Sequence, residues 1–191
     1  MKKEGADNNQ RGFTLVEILV VLAIIVVLAV LVISGYSEGR PRLATERTAE
    51  SFIGDIYRAR NRGFLEFPYP MGGDHDNPAV VGYGIRIGNE ENHYTFFVRD
   101  VDDNEEVIEE IEIEELVIID SKKIDGAVAP EWEVFFKGRD VFFNTDKATE
   151  GSYAKIKFSA RGDATVRFVV IDYQGVAYII QTEEFLENFI N

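Results

Sequence analysis

Few residues in this 191-residue chain are placed to do chemistry, and most of them are carboxylates. Glu17 stands inside residues 13–33, where only it and Thr14 are polar. A charge in so apolar a run must find a cation or a hydrogen-bonding partner, because leaving it unpaired there is costly. Residues 100–120 hold 11 acids in 21, opening Asp100-Val-Asp102-Asp103-Asn104-Glu105-Glu106. Clustered oxygens suit calcium, the one cofactor this composition leaves open. A calcium-binding loop wants Gly at its sixth position and Glu at its twelfth, whereas Glu105 and Ile111 stand there. The alternation Ile111-Glu112-Ile113-Glu114 reads instead as a strand with one buried and one solvated face, its acids guarding against edge pairing.

His75 lies in Gly73-Asp74-His75-Asp76 and His93 in an Asn-rich turn. Neither has the helical histidine partner of a zinc site, so loop polarity explains both. No nucleophile elbow, phosphate loop or dinucleotide fingerprint is present, and catalysis has no support in the sequence. The absence of cysteine removes disulfides and thiolate metal sites. A net charge of -14 repels phosphate backbones, so nucleic acid is not expected as a partner. Arg58, Arg60 and Arg62 form the one basic cluster; on a helix 58 and 62 share a face and 60 points elsewhere, as salt-bridge partners would. Arg161-Gly162-Asp163 occupies a predicted hairpin and is taken as a turn.

The elements that position these groups begin with residues 13–33, 21 residues long, where about 20 apolar helical residues span a bilayer core of roughly 30 Å. Ten of the 16 residues from 18 to 33 are β-branched, which suits a strand in water, but in lipid a lone segment satisfies its backbone only as a helix. Lys2, Lys3 and Arg11 favour a cytoplasmic N-terminus, with the bulk of the chain outside. A secretory signal would be shorter and end in a better site than Val32-Ile33-Ser34.

Gly39 and Pro41 predict a kink. Beyond it Leu43, Phe52, Ile53, Ile56 and Tyr57 mark an amphipathic helix that stops near Arg62, before Phe67-Pro-Tyr-Pro70. Eight β-rich runs follow, at 79–87, 94–101, 107–119, 132–137, 141–144, 154–159, 165–173 and 176–181, then a short terminal helix at 183–190. Turn signals at Lys137-Gly138 and Gln174-Gly175 favour antiparallel connections. The fold class is α+β: a long N-terminal helix followed by an antiparallel β-sandwich-like domain.

Arg11, Gly12, Phe13, Thr14, Leu15 and Glu17 match, position by position, the leader junction of the prepilins, whose leader ends in glycine before Phe-Thr-Leu-x-Glu. Arg58-Ala-Arg60, Gly82-Tyr-Gly84-Ile85 and Phe158-Ser-Ala-Arg-Gly162 are similar to motifs of the GspH-type minor pseudopilins. The resemblance implies a type IV pilin fold, cleavage by a prepilin peptidase between Gly12 and Phe13, N-methylation of Phe13, and assembly into a type IV pilus or type II secretion pseudopilus. It divides the chain into a leader (1–12), a transmembrane and assembly helix (13–33), a periplasmic amphipathic half-helix (34–64) and a head (65–191). The ammonium freed on Phe13 would lie four residues from Glu17, on the same helix face, where it can pair within a subunit or between two. Implied partners are the peptidase, other pilin or pseudopilin subunits, the assembly machinery and the inner membrane, where the precursor would be single-pass with its C-terminal domain exterior. A major pilin, a tip-located module binding substrate, a surface or DNA, and an uncleaved membrane-anchored protein are the alternatives.

Overall fold

A computed structural model describes residues 13–65, 80–88, 92–162 and 164–182, with the backbone alone over 32–38. The expected leader, the His75 trio and the terminal helix lie outside the described residues. The helix α1 runs Leu15–Leu65, and the chain divides into two compact units, Met1–Gly39 and Arg40–Asn191.

In the first unit the side chains of residues 15–31 stand largely exposed, from Leu15 at 79% to Val20 at 51%. Among the described residues no helix is long and apolar enough to cross a membrane. Helical residues 15–31 rise about 25 Å, short of the roughly 30 Å hydrocarbon layer, and the apolar sequence itself continues to Ile33.

In the second unit α1 continues through Pro41 rather than breaking there, and Thr45 Oγ1 donates to the Pro41 carbonyl at 2.8 Å. It also passes Gly63 to end at Leu65, three residues beyond the expected stop. Gly63 serves packing: a Cβ there would sit 2.6 Å from the Phe136 carbonyl oxygen, and the Gly63 carbonyl accepts from Gly138 N at 3.1 Å. Ala49, Phe52, Ile56 and Ala59 are wholly buried on one face of the helix.

That face packs into two antiparallel sheets, so the α+β class holds. The first runs in the order β3 (Glu105–Glu112), β2 (His93–Asp100), β1 (Val80–Ile87), β6 (Trp132–Lys137), β7 (Asp140–Phe143), β8 (Asp146–Lys147). The second is ordered β11 (Ala177–Ile180), β10 (Val166–Asp172), β9 (Tyr153–Ala160), β4 (Val117–Ile124), β5 (Ala127–Val128). One core joins helix and sheets: Phe52 meets Tyr94 edge-on at 5.0 Å, Phe158 at 5.5 Å and Trp132 at 5.9 Å between ring centroids. Each large side chain so buried contributes about 1.5–3 kcal/mol.

The run at 107–119, expected as one strand, is two. Val117 N donates to the Glu114 carbonyl at 2.8 Å, turning the chain from β3 in one sheet to β4 in the other. The alternation itself holds, with Ile113 buried and Glu112 and Glu114 exposed. His93 starts β2 rather than sitting in a turn, its Nε2 3.3 Å from Glu110 Oε1.

Glycines 82 and 84 let β1 lie close under its neighbours. A Cβ on Gly82 would fall 2.2 Å from the Phe136 carbonyl oxygen, and one on Gly84 would fall 2.5 Å from the Phe97 ring. Gly82→Ala is therefore expected to cost about 2–3 kcal/mol, whereas Gly88→Ala, which meets nothing within 4 Å, should stay within about 0.5 kcal/mol of the parent. Urea unfolding of the full chain followed by Trp132 fluorescence checks this; equal midpoints for the two variants would refute the close approach.

Candidate functional site

The chemistry-bearing groups of the N-terminal helix sit at its first turn. Ile18 N donates to the Thr14 carbonyl at 3.3 Å, which makes Thr14 the residue that caps the helix. The Thr14 hydroxyl accepts from Glu17 N at 3.3 Å, while Glu17 Oε2 accepts from Thr14 N at 2.8 Å and from Thr14 Oγ1 at 2.9 Å. This reciprocal arrangement is a capping box: two backbone N–H groups that no helical carbonyl can reach are satisfied by side chains three residues apart. The carboxylate also stands at the positive end of the helix dipole.

Glu17 thus finds its partner in Thr14. The Thr-x-x-Glu spacing is itself the signal of a capping box, and it offers Glu17 a partner one residue nearer than the Phe13 nitrogen. Phe13 precedes the cap with 86% of its surface exposed, and its nitrogen is a peptide N–H in the uncut chain. Arg11 and Gly12 lie outside the described residues.

The other candidate groups serve the fold. Asp100 Oδ1 accepts from Asp102 N at 2.8 Å and Asn104 N at 2.9 Å, and its Oδ2 accepts from Asn104 Nδ2 at 3.0 Å, so the carboxyl stays below its ordinary range by bonding within its own turn. Among the described residues no group of three or more acidic or histidine side chains is gathered to hold a metal. Arg58 bonds Glu109 at 2.7 Å and lies over the Phe96 ring at 4.7 Å, and Arg62 lies over the same ring at 5.8 Å. The shared face of 58 and 62 is thus realised, with Arg58 as a salt-bridge partner, while Arg60 lines a separate groove. Arg161 and Gly162 form the turn between β9 and β10, with Gly162 at φ 77°.

Residues 7–33 match the model of the prokaryotic N-terminal methylation motif. The chain carries a prepilin-type N-terminus. The motif supports the type IV prepilin and pseudopilin family, which is structural rather than catalytic. It also implies a membrane-anchored precursor, processing by a prepilin peptidase and assembly with other pilins. No curated protein matches this chain, and no solved structure matches it.

Within the prepilin motif, Thr14→Val removes both hydroxyl bonds and should cost the first helical turn about 1 kcal/mol. Amide exchange at residues 15–18 of the full chain in detergent should then quicken about fivefold; unchanged rates would show that the hydroxyl does not cap the helix.

Proposed function

We propose that this chain is a prepilin-type structural subunit, cut between Gly12 and Phe13, methylated on the new Phe13 amine, and built into a pilus or secretion pseudopilus. The helix of residues 13–33 anchors the precursor in the inner membrane, residues 34–64 continue it outside, and residues 65–191 form the exterior head, with a type IV pilin fold. Cleavage gives Phe13 an ammonium group one helical turn before Glu17. Glu17 holds that ammonium during docking, and neighbouring helices supply the apolar contact. The head motifs at Arg58-Ala-Arg60 and Gly82-Tyr-Gly84 favour a minor subunit of the GspH type.

The observation that carries this reading is an apolar helix whose side chains stand exposed over residues 15–31, inside the match of residues 7–33 to the methylation motif. Such a surface needs lipid or other helices around it.

Intact mass of the chain made alongside a prepilin peptidase tests it. The expected product lacks Met1 to Gly12 and carries one added methyl group; a product retaining those residues overturns the reading. Glu17→Val should be inserted and cut like the parent but be missing from sheared filaments, and normal incorporation of that variant would remove the docking role.

A further inference from the structure

The second sheet carries apolar side chains on both of its faces. Successive residues of a strand point to opposite sides, and along β10 Val169 and Ile171 belong to the core shared with α1 and the first sheet, while Phe168 and Val170 point away from it. The outward pair lies in register with Ile180 and Tyr178 of β11 and with Lys157 and Lys155 of β9. Phe168, Val170 and Ile180 are nevertheless only 4, 5 and 6% exposed. Neighbours in a sheet shield one another's flanks and leave the tips of their side chains to water. Among the described residues this outward cluster draws on β9, β10 and β11 alone, with Tyr153 and Val166 completing it. Burial so deep on an outward face calls for a further segment lying on top.

The chain holds a segment of matching size and chemistry. β11 ends at Ile180, and only Gln181 and Thr182 separate it from residues 183–190. Within these, Phe185, Leu186, Phe189 and Ile190 recur at the spacing of one helical stripe, and Glu183, Glu184 and Glu187 fall beside it. Eight helical residues rise about 12 Å, and strands lie about 4.8 Å apart, so that length crosses β11, β10 and β9. On the sheet, Lys155 stands over the Phe168 ring at 5.0 Å, a cation that suits acids lying across the cluster. Residues 66–79, by contrast, begin where α1 meets β6 and end at β1, both in the first sheet.

We propose that residues 183–190 dock as an amphipathic helix across the outward face of the second sheet, laying their apolar stripe on Phe168, Val170 and Ile180 and their acids beside Lys155. The sheet is then a middle layer, with α1 on one side and this segment on the other. An open face of that composition would be adhesive, and the segment closes it to other chains. The contact lies within the second unit, so it holds for the cut and the uncut chain alike and does not depend on the filament reading.

The chain has no cysteine, so single thiols can report on each face of the sheet. In the full chain in detergent, maleimide should label Val170→Cys about tenfold more slowly than Val128→Cys, which replaces a side chain 75% exposed. A stop after Thr182 should bring the Val170→Cys rate to within about twofold of Val128→Cys, while Val169→Cys, on the core face of the same strand, stays slow. Fast labelling of Val170→Cys in the full chain, or a slow rate that the stop leaves unchanged, overturns the contact. Where the stop opens both faces, the shortened chain has unfolded, and a second variant of the full chain decides. Val166→Cys with Leu186→Cys is treated with a short bis-maleimide and digested with trypsin, which cuts between the two at Arg167. The expected product is a monomer in which peptides 162–167 and 168–191 are joined. Unlinked peptides, or links found only between two chains, refute the docking.

Discussion

Apolar side chains stand exposed all along residues 15–31, and something must cover them. Burying one large aliphatic side chain contributes about 1.5–3 kcal/mol, and this helix leaves that contribution unclaimed along its length. In water it would drive aggregation; in lipid or among like helices it is at home. β-branched residues, which lower helix propensity in water, cost little where the only competing conformations leave backbone groups unsatisfied. Polar groups can then be tolerated only at the end of the run, where the helix has unfilled donors to offer them.

The second unit answers a different constraint, that of keeping a strongly acidic chain folded. On the first sheet, Phe97 and Phe135 stack at 6.0 Å, with Arg86 over Phe97 at 4.7 Å and Arg99 over Phe135 at 4.7 Å. Both guanidinium groups reach Glu105 and Glu133, with Arg86 at 2.7 and 2.6 Å. The bond from Arg86, strengthened by Arg99 and opposed by partial burial, holds the Glu105 carboxyl down to about 2. A depressed carboxyl stabilises the fold above its ordinary range near 4.5 and loses that contribution as pH falls toward 2, so the network is intact throughout the neutral range. Lys157 and Asp120 make a similar pair on the second sheet. Acidic residues that look surplus in composition are thus divided between fold-holding pairs and an open edge strand.

Legibility in the sequence followed how local the physics was. The apolar run, the amphipathic continuation with Phe52 and Ile56 buried, and the turns at Gly138 and Gly175 depend on a few neighbouring residues, and the structure has them where they were expected. The division of 107–119 into β3 and β4 does not: Glu114 to Leu116 contains neither glycine nor proline, and only the pairing of β3 with β2 and of β4 with β9 sends the two halves to different sheets. β5 was missed although Asp125-Gly126, with φ of 48° and 79°, spells a tight hairpin. The helix outlasted Gly63 because that glycine answers to the Phe136 carbonyl, a contact 73 residues away in sequence. Thr14 is as local as any of these, since Thr-x-x-Glu at the start of an apolar run is enough to specify the cap.

Those two tasks meet at Glu17. A carboxylate near the start of an apolar helix must be compensated at every stage of the protein's life, including the time when the leader is still attached. Phe13 is an internal residue of this chain with no ammonium to give, and Thr14 supplies an N–H and an O–H to Glu17 Oε2 at 2.8 and 2.9 Å. The charge is therefore satisfied in the precursor without any partner chain. Both of those bonds go to one oxygen, and a carboxylate has a second oxygen with lone pairs of its own. Under the proposed cleavage, an ammonium on Phe13, of the same subunit or a neighbour, would add to the cap without first displacing it. On that geometry Thr14 and Glu17 are one unit, which starts the helix and, on the reading proposed above, keeps an acceptor in reserve for the cleaved chain.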